Sequence, residues 1–413
     1  MRILCIADTY PWPSTDGYRQ RLANVARSLA GAGELDLFAV VDEREDLRAG
    51  SIDAPIGARV FVSPRPPPRR GPAQMLHWLS SPLPRAVLWH DWSRAGDELR
   101  RWSADAYDLV WYSHLDPFLA LGQTVDGPKI VDLDNLENLK VQAQRRLTLA
   151  TSSGHPSVRA LLGQAVDLVD ERRWSRQQRE ANRRAARVVV CSELDRQRLG
   201  LAGAAVVPNG YRRDGPPVGG RSAKPEAPVF TMVGLMTYPP NIDAAMHFAR
   251  DVLPLVRTEA PGAQFKLVGH ADGEVGSLAK LPGVVVRGRV PDVRVELEDT
   301  DVAVAPVRFG GGTRIKVLEA FAHHLPVVAT TTGAEGIDAA DGVELLIADD
   351  ARAQAEACLR LVRDPALARR LAAAGARLYE ERYSWDLILP KISTLASEVA
   401  AEARSGQHSP PRR

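Results

Sequence analysis

Cysteine is scarce in this 413-residue chain: Cys5, Cys191 and Cys358 stand far apart, with no C-x-x-C pair between them. That count excludes a disulfide scaffold and predicts a reducing, cytoplasmic setting. An excess of one charge is lacking too, since 53 basic residues face 51 acidic ones for a net +2. The chain therefore has no general field for holding nucleic acid, and any site for a polyanion must be local. No apolar run reaches the roughly 18 residues a membrane helix needs, and Met1-Arg-Ile-Leu-Cys-Ile-Ala7 enters a strand pattern directly, so neither a membrane span nor a signal peptide is expected. What is present is 45% apolar and 25% charged residues, the composition of a globular chain long enough for two medium domains.

Short β-rich runs alternate with helical periodicity from end to end, which predicts α/β architecture with parallel sheets. Ile3–Ala7, Leu35–Val41, Val60–Val62, Leu109–Tyr112, Ile130–Leu133 and Val188–Cys191 read as strands of a first sheet. Leu22, Val25, Ala26 and Leu29 give the first crossover helix its apolar stripe. Proline, glycine and charge then dissolve the pattern, and a second series follows at Val229–Val233, Phe265–Val268, Val284–Val286, Val302–Ala305, Val327–Thr330 and Leu345–Ile347. The expected order is an N-terminal domain over 1–212, a linker over 213–227, a second doubly wound domain over 228–384, a helix over 385–404 crossing back to the first domain, and a disordered tail over 405–413. A cleft between the two domains is the expected place for a ligand.

The most informative segment is Pro306-Val-Arg-Phe-Gly-Gly-Gly-Thr-Arg-Ile-Lys-Val-Leu-Glu-Ala-Phe-Ala322, a strand end, a glycine turn and a helix start. Thr313 reads as the N-cap, which puts Arg314 and Lys316 in the first helical turn. Cations there oppose the helix dipole at a few tenths to about 1 kcal/mol each, so something anionic should compensate them. Exposed amides, close-approach glycines and two cations together describe a phosphate or diphosphate site, with Glu319 placed to accept from ribose hydroxyls. The plainer reading makes the glycines a tight turn and the cations solvated. A second strand-to-helix loop, Asp8-Thr-Tyr-Pro-Trp-Pro-Ser-Thr-Asp-Gly-Tyr18, favours the ligand reading, because α/β ligands bind outside the carboxyl ends of strands. Neither loop has the spacing of a dinucleotide fold or a P-loop, which leaves a nucleotide ligand of another type.

Taken together, these segments resemble the retaining glycosyltransferases of the GT-B fold, in the group 1 family numbered four. Nearly the whole chain takes part. The strongest matches are Gly310-Gly-Gly-Thr-Arg-Ile-Lys-Val-Leu-Glu-Ala320, Leu325-Pro-Val-Val-Ala-Thr330 and Gly333-Ala-Glu-Gly336. Val207-Pro-Asn-Gly210, Tyr238-Pro-Pro-Asn241 and Tyr383-Ser-Trp385 support them. The resemblance implies a transferase that moves a hexose-type sugar from a nucleoside diphosphate to an acceptor hydroxyl on a glycan, a lipid-linked molecule or a natural product, with retention and without a metal or other cofactor. His114 would lie at the catalytic centre, with Arg314 and Lys316 at the donor diphosphate. The donor set would be Gly17, Gly234, Asn241, Arg289, Gly310, Gly311, Gly312, Thr313 and Glu319. Two positions depart from the family pattern. Gly311 replaces the first acid of E-x7-E, and Gly234-Leu-Met-Thr-Tyr-Pro-Pro-Asn241 lacks the usual Arg and Lys pair. A nucleotide-sugar isomerase or epimerase of the same fold, or a non-catalytic scaffold, are the alternatives.

Three further segments carry weaker readings. The acids of Asp132-Leu-Asp-Asn-Leu-Glu137 read as structural rather than metal-binding, for want of a nearby histidine. His323-His324 reads as a cationic cap at a helix end. The proline- and arginine-rich stretch Ser63–Arg85, with Trp78 and Leu79, reads as an acceptor-side loop or, second, as a contact with the inner membrane face.

Overall fold

The computed structural model describes residues 1–406 except 15, 43–49, 53, 105, 152–157, 220–225, 272 and 313. Thr313, and the tail from 407 onward, therefore lie outside the described residues. Two units make up the chain: Met1–Pro208 together with Ile388–Arg413, and Asn209–Leu387. The segment expected as a linker, 213–227, falls inside the bounds of the second unit.

The first unit is built on β1 (Arg2–Ala7), β2 (Glu34–Asp42), β3 (Gly50–Ile52), β4 (Arg59–Arg65), β5 (Leu109–Ser113), β6 (Lys129–Leu133), β7 (Arg187–Val190) and β8 (Ala205–Val206). They lie in the order β3-β4-β2-β1-β5-β6-β7-β8, parallel except for β3 on the edge. The near-continuous apolar character of β1, β5 and β7 follows from having helices on both faces, and Ile3 to Ala7 are fully buried. β1 pairs with both β2 and β5, with Ala7 beside Ser113. The residues that follow these two strands, Asp8 and His114, therefore leave the sheet side by side where the strand order reverses.

The second unit repeats the plan with β9 (Val229–Val233), β10 (Gln264–Val268), β11 (Val284–Gly288), β12 (Val302–Ala305), β13 (Val327–Ala329) and β14 (Leu346–Ile347), all parallel, in the order β11-β10-β9-β12-β13-β14. Alternation along β9 sends Phe230 and Met232 to one face, against Ala244, Ala245 and Phe248. Ala303, Ala305, Val327 and Ala329 face the other way, against Val317, Leu318 and Phe321 of helix Ile315–Ala322. Helices on both faces of a parallel sheet make this doubly wound, and its order reverses between β9 and β12. Ligands of such sheets bind in the crevice outside the carboxyl ends at that reversal. The loops that carry Gly234 and Gly310–Gly312 both begin there.

Candidate active site

In the second unit, the carboxyl ends of three neighbouring strands close on glycines. Gly234, Gly269 and Gly288 have φ of 157°, 133° and 69°. The Gly234 amide donates to Val268 O at 2.9 Å and the Gly269 amide to Gly288 O at 2.8 Å. A methyl on Gly269 would stand 1.9 Å from Gly234 O, so the two loops touch through bare backbone. Asn241, in the first turn of helix Pro239–His247, donates from Nδ2 to Leu235 O at 2.9 Å. Its Oδ1 accepts from Lys316 Nζ at 2.7 Å. The glycine turn leaving β12 meets the same helix, since a methyl on Gly310 would lie 3.1 Å from Pro240 Cγ. Gly310 and Gly312 both have positive φ, which glycine adopts without the cost a side chain would bring.

Burial sets the charges here. Lys316 is pulled down to about 7 by desolvation and by the Arg314 guanidinium, against the charge of Glu319. Glu319, 8% exposed, is pushed up to about 7 by burial, against a hydrogen bond from Tyr211 and the charge of Lys316. The Tyr211 hydroxyl donates to Glu319 Oε1 at 3.1 Å. Tyr211 is held by its own backbone: its amide donates to Tyr383 O at 2.9 Å, and its carbonyl accepts from the Tyr379 hydroxyl at 3.2 Å. A cation and an acid that can each change charge near neutrality, beside a half-buried glycine turn, suit a ligand with a diphosphate at one end and vicinal hydroxyls nearby.

In the first unit, helix Gly17–Ala32 starts on Asp16, whose Oδ1 accepts from the Arg19 amide at 2.9 Å. The next side chain, Tyr18, stacks on the His114 imidazole with ring centroids 3.8 Å apart and 11° between planes. The Tyr18 hydroxyl donates to Asp8 Oδ1, and Asp8 Oδ2 lies 3.3 Å from His114 Nδ1. His114 holds φ of 81°, unusual for a side chain larger than glycine and of the kind that clusters at functional sites. Burial works against its charge, but Asp8 and Asp134 raise its pKa well above the usual histidine value. Burial would raise Asp8 as well, yet the facing imidazolium, with Tyr18, holds it down to about 2.

Residues 227–364 match the family described as Glycosyl transferases group 1. That match lies wholly within the second unit. Over 166 residues the chain is 31% identical to the phosphatidyl-myo-inositol mannosyltransferase of Mycobacterium leprae, covering 38% of this chain and 44% of that protein. The chain spans less than half the length of the curated relatives it matches, 44% and 33%. Among solved structures, sucrose-phosphate synthase from Thermosynechococcus elongatus superposes with a TM-score of 0.68 at 16% identity, over 97% of this chain and all of that one. HepE from Anabaena, solved with UDP and glucose, gives 0.60 at 14% identity over 95% and 99% of the two chains. The fold is GT-B.

Within the second unit, Gly234, Asn241, Gly310, Lys316 and Glu319 come together, whereas Arg289 is exposed at the end of β11. The helix start differs from the sequence reading. It begins at Ile315 with Arg314 as the cap residue, so Arg314 lies outside the first turn and only Lys316 opposes the dipole. Arg314 donates to the carbonyls of Gly310, Gly311 and Thr332 at 2.9, 3.2 and 3.0 Å. Its guanidinium thus braces the glycine turn. His323 does follow the helix end, but burial pulls it down to about 4, so it is neutral at pH 7 and no cationic cap. His324, at φ of 58°, turns the chain there instead.

The acids after β6 also read differently. Asp132 takes two hydrogen bonds from the buried Arg21, at 2.9 and 2.8 Å, which is the structural role expected. A histidine is nevertheless near, with His114 Nε2 3.8 Å from Asp134 Oδ2. Among the described residues, no group of three or more His, Cys, Asp or Glu has the arrangement to hold a metal. Tyr18, Tyr211 and Gly269 were not singled out from sequence. Tyr18 adjoins the Asp16-Gly17 signal, but nothing local links Tyr211 to Glu319, 108 positions away.

Proposed function

We propose that the chain is a cytoplasmic glycosyltransferase that moves a hexose-type sugar from a nucleoside diphosphate to an acceptor hydroxyl, with retention and without a metal. The observation that carries this reading is the convergence of Gly234, Asn241, Lys316 and the Tyr211–Glu319 pair at the strand-order reversal of the second unit. Glu319 accepts from the ribose hydroxyls, and its Tyr211 partner fixes the carboxylate. Lys316 and the amides of the glycine turn face the diphosphate.

In the reaction, the bond from the anomeric carbon to the diphosphate oxygen breaks and one to the acceptor oxygen forms on the same face. The acceptor proton passes to the departing diphosphate, so charge balances without an added base. The protein's task is to meet the charge that develops on that diphosphate with dipoles and a cation already in place. Arg314 serves this indirectly, by bracing the carbonyl side of the turn so that its amides are presented. The two departures noted in sequence fit one arrangement. With no acid at Gly311, backbone amides take over recognition of sugar hydroxyls, and Lys316 supplies the cation that Gly234–Asn241 lack.

A thermal-shift panel of UDP-, GDP- and dTDP-sugars tests the reading, since a ligand held at 100 times its Kd stabilises the fold by about 2.7 kcal/mol. UDP-sugars lead the panel because HepE was solved with UDP. One donor raising the melting temperature, and losing that effect in Lys316→Ala, is the expected outcome. No shift with any member overturns the proposal, and turnover of the donor without an acceptor would favour an isomerase.

A further inference from the structure

The three most exposed large hydrophobic side chains among the described residues are Leu76, Leu162 and Leu79, at 70%, 63% and 62%. None belongs to the clusters above, and all lie on two helices that pack together in the first unit. Helix Pro72–Ser80 carries Leu76 and Leu79 one turn apart. It is riveted to helix Val158–Arg184 by Trp78, itself 1% exposed, whose Nε1 donates to Asp170 at 3.1 Å and whose ring carries the Arg173 guanidinium 4.2 Å from its centroid. The leucines are thus held out on a fixed helix.

The long helix has two unlike faces. Asp170, Trp174, Gln177 and Ala181 are buried. The exposed residues Leu162, Ala165, Val169, Arg172, Arg176, Arg179 and Arg183 follow one another at steps of three and four, so they form a single stripe, apolar in its first half and cationic in its second. The flanking sequence is one-sided in charge. No acid occurs from 54 to 90, where five arginines stand, nor from 138 to 166, where Lys140, Arg145, Arg146 and Arg159 stand.

We propose that this face of the first unit docks on an anionic lipid bilayer, with Leu76, Leu79 and Leu162 entering the interface and the arginine half of the stripe lying on lipid phosphates. The charge pattern disfavours two other occupants. A second copy pairing along the stripe would set Arg172, Arg176, Arg179 and Arg183 against arginines in a parallel arrangement or mostly against the apolar half in an antiparallel one, with no acid in the stripe to meet them. A nucleic acid would match the arginines and leave the leucines in water. The surface is independent of the donor site, so membrane docking and glycosyl transfer stand or fall separately.

The test is co-flotation of the full-length protein with phosphatidylcholine vesicles, alone or with about one third phosphatidylglycerol, at low and high salt. Expected is binding to the anionic vesicles only, weakened by salt. Leu76→Ser with Leu79→Ser should lower partitioning at least about tenfold. Arg172→Glu with Arg176→Glu should lower it about twentyfold or more, since each cation near an anionic surface contributes about fivefold. All four side chains are exposed, so melting temperatures should not change, and a variant that does unfold is replaced by Leu162→Ser. Absence from the anionic vesicles at low salt, equal binding to neutral ones, or unaltered binding by both variants overturns the proposal. So does a dimer in sedimentation, or retention on heparin, unaccompanied by flotation.

Discussion

Lys316 and Glu319 are poised between charge states because the fold half-buries the one, buries the other and gives each a neutral partner, Asn241 and Tyr211. Without an anion Lys316 titrates near 7, and a bound diphosphate would raise it, so binding takes up a proton above that pH. Donor affinity should therefore weaken as pH rises from about 7 toward 9, by up to about tenfold per unit. Titration calorimetry in buffers of different ionisation enthalpy reads that proton, and Lys316→Gln should both weaken binding and flatten the slope. Glu319 gives a stability signature in the same direction. Its folded pKa, raised to about 7, exceeds the unfolded value of about 4.5, so its contribution is fully present below 4.5 and lost as pH climbs through 7. Glu319→Gln should then gain stability relative to the parent across that window in urea unfolding, while losing donor affinity by more than about twofold. A variant tracking the parent at every pH would show that burial does not strain this carboxyl. These residue types were legible because a glycine turn followed by cations has few purposes. The roles within the segment were less so, since which of two arginine- or lysine-like neighbours braces the turn depends on a helix start shifted by a residue or two.

At the scale of elements, strands read easily wherever several consecutive Val, Ile and Leu residues must be buried on both faces, as in β1, β5, β9 and β12. The two strands that escaped, β3 and β8, have three and two residues at the edges of the first sheet, too short for any periodicity to show. Glycines at strand ends behave differently again. Gly234 was singled out by its place before Tyr238-Pro-Pro-Asn241, but Gly269 follows β10 with only Gly269-His-Ala around it, and its purpose appears when Gly234 O is found where its side chain would be. Gly269→Ala should accordingly cost at least about 2 kcal/mol, because both the clash and the φ of 133° must be relieved by moving backbone. Since the backbone that moves carries Gly234, donor affinity should fall with stability. Gly203→Ala, where nothing lies within 4 Å, is the matched control and should leave both within error.

At the scale of the whole molecule, the same strand-order reversal occurs twice, once beside Asp8 and His114 and once beside Gly234 and Gly310, and each reversal gathers the ionisable groups of its own unit. Each sheet also has its own apolar core. What stabilises one unit can therefore be perturbed by name. Arg21, 1% exposed, meets Asp132 with two hydrogen bonds and donates to Val207 O at 3.2 Å, tying β6 to the end of the first stretch of chain. Arg21→Met would leave Asp132 buried without its cation, a change worth about 3–5 kcal/mol. Calorimetry should show the transition that belongs to the first unit falling on the order of 10 °C, given about 2–4 °C per kcal/mol in domains of this size. A nucleoside diphosphate that binds the second unit should raise the other transition and leave the lowered one where it is. If the Arg21 variant instead brings both transitions down together, or the ligand lifts both, the two cores unfold as one cooperative body, and the donor site's affinity must then be sensitive to packing around Arg21.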